Sequence, residues 1–381
     1  MSGILHITFP RKLLFGKGCL QSLAADLNAA GCKRLFVLSI EPLLDALSET
    51  LSQIESYGIL TESYTGILQE PSFADFETVF EKARAFNPDT VVGIGGGSVL
   101  DVAKVIAAQL GNTQTLAEIA GINLLKGRSR QLICVPATAG TGSEVSPNSI
   151  LINPEGQKVG IISPYLVPDA VYADPLLTLS VPKAITAATG IDALTHCIEA
   201  YTNKFAHPFI DALAIEGIRL IAQSLAEAVN NGANEEARTD VALGSLLGGF
   251  CLGPVNTAAV HALAYPLGTT YHMPHGLSNA IMLPFVMRFN VSASPEKYAK
   301  VALAVGAEPK ATDLETALEG IRVIEQIIAK CDVQLGLQHA GVKQEDIAAL
   351  AADALKIQRL LKNNPRPVSL EDAVEIYNDA Y

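Results

Sequence analysis

Asp192 and His196 lie four residues apart in Gly190-Ile191-Asp192-Ala193-Leu194-Thr195-His196, a stretch of helical character. On a helix this spacing brings both side chains out on one face, a turn apart, which is the geometry of two ligands to one metal ion. Further on, the 47 residues 241–287 hold no Asp, Glu, Lys or Arg, yet they hold His261, His272 and His275. Imidazoles in so apolar a segment need partners. Burying a polar group without one costs roughly 1–3 kcal/mol, and a metal ion would satisfy several together. A carboxylate with two or three imidazoles suits Fe(II), Zn(II), Co(II), Ni(II) or Mn(II) without any cysteine, and leaves the choice among them open. Taken singly, a buried histidine is more often hydrogen-bonded to backbone than metallated. Five of the seven histidines fall between positions 196 and 275, and that clustering is what favours a shared ion.

The elements that must position these residues read differently in the two halves of the chain. Up to about residue 180, short apolar runs alternate with amphipathic ones: 35–38, 90–94 and 131–135 are strand-like, and 42–57 and 99–110 helix-like. That alternation predicts a parallel sheet covered on both faces. Gly95-Gly96-Gly97-Ser98 falls where a strand meets a helix, the place where an α/β sheet receives phosphate on glycine backbone and helix N–H groups. It is not the GxGxxG fingerprint, and Ser98 with Asp101 has the spacing of a capping box. A second polar loop, Pro136 to Glu144, follows the next strand, so the pair of loops favours a nucleotide over a bare phosphate. Beyond Pro182 helical periodicity dominates, through 184–201, 209–230, 235–246, 313–335 and a terminal helix at 369–381. The expected organisation is an α/β domain over residues 1–180 and an all-helical domain over residues 181–381.

Composition narrows the function. With 381 residues, 49% hydrophobic and 17% charged, the chain is long enough for two cored domains. A net charge of -12 repels nucleic acid and anionic membrane surfaces, so the expected partner is a small molecule. Six cysteines lie scattered without CxxC spacing, which with the lack of a signal-like N-terminus predicts reduced thiols and a cytoplasmic protein. The uncharged run 241–287 is long enough to span a bilayer, but Pro254, Pro266, Pro274 and Pro284 interrupt it, and it reads as buried helices separated by turns. Arg366, in a late Pro-rich loop, reads as a surface charge.

Several of these motifs occur together and in order: Gly95-Gly96-Gly97-Ser98 with Asp101 and Lys104, then Thr138-Ala139-Gly140-Thr141-Gly142-Ser143-Glu144, then Ala187 to His196, then Pro274-His275-Gly276, with Asn364-Pro365-Arg366 near the end. In that order and spacing the chain resembles the iron-containing (group III) alcohol dehydrogenase family over essentially its whole length. The resemblance implies a Rossmann-like parallel α/β domain followed by an all-helical domain, with the active site in the cleft between them. It implies Asp192, His196, His261 and His275 as ligands to Fe(II), or to Zn(II) or another divalent metal. It further implies Gly96, Gly97, Ser98, Asp101, Thr138, Thr141, Ser143 and Lys158 as residues lining NAD or NADP.

Three positions depart from the family pattern. Ser39-Ile40-Glu41 stands where many relatives carry Asp after an early strand, so strict NAD preference is open and Glu41 is the available substitute. Tyr265 stands where several relatives have a proton-relaying His, and its hydroxyl is able to take that role. His272 replaces a residue that is often not His; it reads as part of the cleft wall, with a compensating relay role as the alternative. The implied activity is reversible hydride transfer between a small alcohol or aldehyde and the nicotinamide, with the metal polarising the substrate oxygen. The implied assembly is a homodimer or larger, with residues 5–9 as a strand able to pair across a two-fold axis. A metal- and NAD-dependent cyclase that eliminates phosphate from a sugar phosphate would need a Lys and Arg cluster, which 241–287 lacks. A non-enzymatic binding module would leave the converging motifs without purpose.

Overall fold

The computed structural model describes residues 4–67 and 70–381. By their contacts the residues form two compact units: Ile7–Thr138 with Gly142–Ser180, and Val181–Tyr381 with Ala139–Thr141 and the described residues before Ile7.

In the first unit the described strands are β1 (Lys12–Phe15), β2 (Arg34–Leu38), β3 (Leu60–Tyr64), β4 (Thr90–Gly95), β5 (Gly121–Ile122), β6 (Gln131–Pro136), β7 (Asn148–Ile152), β8 (Lys158–Ile162) and β9 (Ala170–Ala173). The helices are α1 (Leu23–Ala29), α2 (Leu44–Ser56), α3 (Phe73–Phe86), α4 (Gly97–Gln109) and α5 (Leu116–Ile119). Six strands make one sheet in the order β1-β9-β6-β4-β2-β3, every pair parallel. Side chains alternate along each central strand. Phe36, Leu38, Val91, Leu132 and Cys134 enter one core, and Leu35, Val37, Val92, Ile94, Ile133 and Val135 enter the other. The unbroken apolar runs in the sequence thus reflect burial on both faces.

One feature departs from the sequence reading. A smaller sheet, β5-β8-β7, contains an antiparallel hairpin of β7 and β8 in which Ser149 pairs with Ile161, where only parallel pairing was expected. The edge strand of the large sheet within the chain is β1, paired with β9; Pro10, with no N–H to give a ladder, precedes it.

Helix α4 packs closely on the sheet where glycine allows it: a Cβ on Gly93 would stand 2.8 Å from the Ala103 Cβ, and one on Gly95 2.9 Å from the Val99 side chain. The expected Ser98–Asp101 capping box does not form. The helix begins at Gly97 with Gly96 as its N-cap, and Asp101 lies in the second turn, too far along to cap. Its Oδ1 accepts from the Ser143 hydroxyl at 2.5 Å and its Oδ2 from the Ile150 N–H at 2.8 Å. Lys104, fully buried, donates to Ser143 Oγ at 2.8 Å and to the carbonyls of Ser146 and Asn148 at 3.0 and 2.8 Å. This network ties α4 to the loop after β6 and to β7.

The second unit is helical: α6 (Lys183–Thr202), α7 (Pro208–Asn230), α8 (Glu235–Leu252), α9 (Ala259–Tyr271), α10 (His275–Asn290), α11 (Pro295–Ala304), α12 (Asp313–Lys330), α13 (Ile347–Ala354), α14 (Gln358–Leu361) and α15 (Leu370–Asp379). The uncharged run supplies the end of α8 and all of α9, with most of α10. In α9, Val260 through Ala264 are all buried, which explains why no charge is tolerated there. Among the described residues no helix is long and apolar enough to cross a membrane. Helix α12 stops short of the expected residue 335 because Asp332 takes a left-handed conformation, φ 57°. Arg366 is a staple more than a surface charge: it donates to the Phe289 carbonyl at 2.9 Å and lies 3.7 Å over the Phe289 ring. Beside it the Asn364 and Asn290 amides pair reciprocally at 2.7 and 2.8 Å.

Near Lys104 the Glu144 carboxyl is buried, and burial raises it from the usual 4.5 to about 7. A raised carboxyl favours the fold while neutral: its contribution is complete below pH 4.5 and is lost as the pH rises through 7. Glu144→Gln should therefore melt above wild type at pH 8, by a few degrees for an effect on the order of 2–3 kcal/mol, and close to it at pH 5. Thermal melts at both pH values check this, and an equal offset at each would refute it.

Candidate metal centre and cofactor loops

The helical unit brings together residues from three helices. Helix α6 carries Asp192, His196 and Glu199 along one buried face; α9 carries His261, third residue from its start; α10 opens with His275 after Pro274. Asp192 Oδ1 lies 3.4 Å from His261 Nε2, 3.7 Å from His275 Nε2 and 3.7 Å from His196 Nε2. Ligand atoms of Asp192, His261 and His275 all fall within 4.8 Å of one another, with His196 outside that tightest group. Its ring nevertheless stacks on that of His261, centroids 4.8 Å apart and planes inclined by 18°.

Charge in this interior is balanced locally. Burial alone would raise the Asp192 carboxyl, but His196, His275 and His261 together hold it well below the usual carboxylate range. Burial lowers His196 against the pull of Asp192. Burial also acts to lower His261, yet Glu199 and Asp192 prevail and raise it to about 10.

Two residues of the site escaped the sequence reading. Glu199 is buried, and one carboxylate oxygen accepts from the Val260 N–H at 2.7 Å while the other lies 2.6 Å from His261 Nδ1. A carboxylate at Nδ1 holds a proton there and turns Nε2 toward Asp192, as in carboxylate–histidine–metal arrangements. The signal was present: Glu199 follows Asp192 by seven residues and lies on the same helical face. Asn279, four residues after His275, donates to Asp192 Oδ1 at 2.6 Å, and its Nδ2 stands 3.2 Å from Nε2 of both His261 and His275. A donor set of one carboxylate oxygen and imidazole Nε2 atoms, buried and converging, fits a divalent first-row ion.

Gly276 sets how near α10 starts to α6. A Cβ there would fall 2.2 Å from the Ala188 carbonyl oxygen, so only glycine permits the approach that brings His275 to Asp192. Tyr265 lies one turn beyond His261, its ring centroid 5.7 Å from that of His275. His272 is exposed and left-handed, φ 53°, at the C-cap of α9, outside the ligand group.

In the α/β unit Gly96, Gly97 and Ser98 form the start of α4, where first-turn N–H groups are available to an anion. Thr138 adjoins them, its Oγ1 3.4 Å from where a Gly96 Cβ would be. Asp101 and Ser143 belong to the Lys104 network. Lys158, on β8, pairs with Glu70 at 2.5 Å. Thr141 falls in the segment grouped with the helical unit. Ile40 caps a 3-10 turn after β2, and Glu41 Oε1 accepts from the Thr65 hydroxyl at 2.6 Å.

The fold and site thus define a doubly wound α/β unit joined to a helical unit with a donor set able to hold a divalent metal. Family models agree with that class: one described as iron-containing alcohol dehydrogenase matches residues 10–175, and one described as the C-terminal part of the Fe-containing alcohol dehydrogenase family matches residues 186–381. The chain belongs to the iron-containing alcohol dehydrogenase family and is an oxidoreductase. It is 36% identical to long-chain-alcohol dehydrogenase 1 of Geobacillus thermodenitrificans, over 99% of this chain and 97% of that one. A crystal structure of 1,3-propanediol oxidoreductase superposes with a TM-score of 0.95 at 34% identity, covering 100% of both chains. The structure of sulfoacetaldehyde reductase from Bifidobacterium kashiwanohense in complex with NAD+ superposes with a TM-score of 0.89 at 27% identity, covering 100% of this chain and 99% of that one.

Glu199→Gln should lower divalent-metal affinity roughly tenfold to a hundredfold, because the amide cannot accept from both the Val260 N–H and His261 Nδ1. Competition against a chelator measures it, and unchanged affinity would remove Glu199 from the site. Gly276→Ala should cost metal binding as well, by moving α10 off α6; a variant that retains a full equivalent of metal by elemental analysis would contradict that packing.

Proposed function

We propose that the chain catalyses reversible hydride transfer between a small alcohol or aldehyde and a nicotinamide dinucleotide, with a divalent metal held by Asp192, His196, His261 and His275. The observation that carries this reading is the convergence of three imidazole Nε2 atoms on one buried Asp192 oxygen. When bound, the metal supplies Lewis-acid polarisation of the substrate oxygen. The protein's own groups do the rest. Glu199 and Asn279 hold the donor atoms in position, and the nearly closed surroundings of Asp192, His196 and His261 limit water at the ligand atoms. Tyr265, whose ring adjoins that of the more exposed His275, is our assignment for passing a proton through its hydroxyl.

The start of α4, with Gly96, Gly97, Ser98 and the adjoining Thr138, is our assignment for the pyrophosphate of the dinucleotide. Asp101, Ser143 and the buried Lys104 brace that loop, while Thr141 and Lys158 complete the assigned set. The cofactor we infer is NAD(H). The exposed Glu41 at the end of β2 supplies the carboxylate that Ile40 lacks, and a carboxylate near the adenosine ribose repels a 2′-phosphate. Fe(II) is our assignment for the metal, on family membership. A cytoplasmic location accords with six unpaired cysteines, and a homodimer or larger assembly is our reading of the family resemblance.

Protein purified without oxygen and reconstituted separately with Fe(II) and Zn(II) should oxidise NADH in the presence of short aldehydes, faster than NADPH. His261→Ala should retain the helical circular dichroism of wild type while losing bound metal and turnover. Normal turnover by the metal-containing variant, or no cofactor consumption by wild type with any metal over a broad aldehyde panel, would overturn the proposal.

A further inference from the structure

The ligand atoms are approachable from one side. The side chains of Asp192, His196 and His261 are 4%, 6% and 3% exposed, whereas that of His275 is 26% exposed. Tyr265 stands beside His275 on this open side. Against Tyr265 lies Arg359, from the short helix α14: its Nη2 donates to the Tyr265 hydroxyl at 3.2 Å, and its guanidinium carbon is 5.6 Å from the ring centroid.

The surroundings of Arg359 are unusual for this chain. Among the described residues no carboxylate lies within ion-pairing distance of its guanidinium, although the protein carries 39 acidic residues against 27 basic ones. Arg219, Arg288, Arg322 and Arg366, the other arginines of the helical unit apart from Arg238, are each paired with an acid. Arg238 is buried, and its guanidinium is taken up by Thr186 and the carbonyls of Gly232 and Val181. Arg359 gives one of its five N–H groups to a neutral phenol and is half-buried, so it retains both a charge and a planar fork of donors.

We propose that Arg359 is a specificity-determining residue that receives an anionic group, a carboxylate or sulfonate, at the far end of the aldehyde or alcohol. This rests on the dehydrogenase reading above and names its substrate class. A guanidinium and a carboxylate form a two-pronged, charge-assisted pair, and such a pair in a half-buried setting discriminates strongly against an uncharged chain of equal length. The tyrosine face supports the guanidinium plane and orients it.

The test compares two four-carbon aldehydes, butanal and its terminal carboxylate counterpart 4-oxobutanoate, with the metal-loaded enzyme and NADH. Wild type should favour 4-oxobutanoate in kcat/KM. Arg359→Ala should lower that preference roughly tenfold to a hundredfold, chiefly through KM, and Arg359→Lys should restore part of it by keeping the charge without the fork. Calorimetry with 4-hydroxybutyrate in place of the aldehyde should show the same order of binding, wild type above Arg359→Lys above Arg359→Ala. Reduction of butanal with no preference for 4-oxobutanoate, or a preference that survives both substitutions, would overturn the assignment of Arg359. Failure of wild type to reduce either aldehyde with any metal would instead count against the dehydrogenase reading, and 4-hydroxybutyrate binding lost in Arg359→Ala would still support the anion site. Should Arg359→Ala not fold, the Arg359→Lys ratio decides: a value equal to that of wild type rejects a role for the fork, and a fall supports it.

Discussion

Asp192 Oδ1 is the point on which the helical unit is organised. Three imidazole nitrogens are held within 3.7 Å of that single oxygen, with Asp192, His196 and His261 buried and His275 on the more open side. Such crowding is sustained only by constraint. Asp192 and His196 are one turn apart on α6, so their mutual distance is fixed by the helix itself. The other two imidazoles, His261 and His275, come from different helices, and their positions depend on packing: glycine at 276 for the approach of α10, and Glu199 for the rotation of the His261 ring. Asn279 then holds that same carboxylate oxygen from among the imidazoles, its Nδ2 2.6 Å from Asp192 Oδ1 and 3.2 Å from Nε2 of His261 and His275. The long uncharged run follows from the same requirement, since helices that must pack this closely around a polar centre have no exposed face on which to place charge.

The α/β unit solves a different problem by related means. A loop that is to present backbone N–H groups must be rigid, yet a loop has few bonds of its own. Here rigidity is supplied from beneath by Lys104, a fully buried ammonium whose donors are taken by a hydroxyl and two carbonyls, and by Asp101, which links the same hydroxyl to the β7 backbone. A buried charge is tolerated only when its hydrogen bonds are met in this way. The residues of the two loops therefore divide by physical role: Gly96, Gly97 and Ser98 form the start of α4, while Asp101 and Ser143 tie α4 to the loop after β6 and to β7.

Arg359 and Arg366 show how context decides the meaning of a charge. Both sit near the chain's end in a polar stretch, and Arg366 reads from the sequence as a surface charge. Arg366 is consumed by the Phe289 carbonyl, the Phe289 ring and Asp372. Among the described residues the Arg359 guanidinium meets Tyr265 and no carboxylate, and so keeps its capacity to pair.

Local periodicity determined much of this protein. The alternation of strands and helices, the parallel sheet, the helical second half and the Asp192–His196 pair were all legible because each depends on spacing along one element, which a helix or strand converts directly into geometry. The glycine turn at 95–98 was legible for the same reason. What only the tertiary structure decided were relations between elements distant in sequence. Glu199 acts on a histidine 62 positions away, Asp101 bonds to the loop and strand beyond β6 instead of capping its own helix, and the β7–β8 hairpin forms where only parallel pairing was expected. Residues 5–9 had the composition of a strand, but the edge of the large sheet is β1, less apolar, paired with β9. Propensity is local and a hydrogen-bond partner is not, so the sequence determined which elements form and folding determined what each of their polar groups would meet.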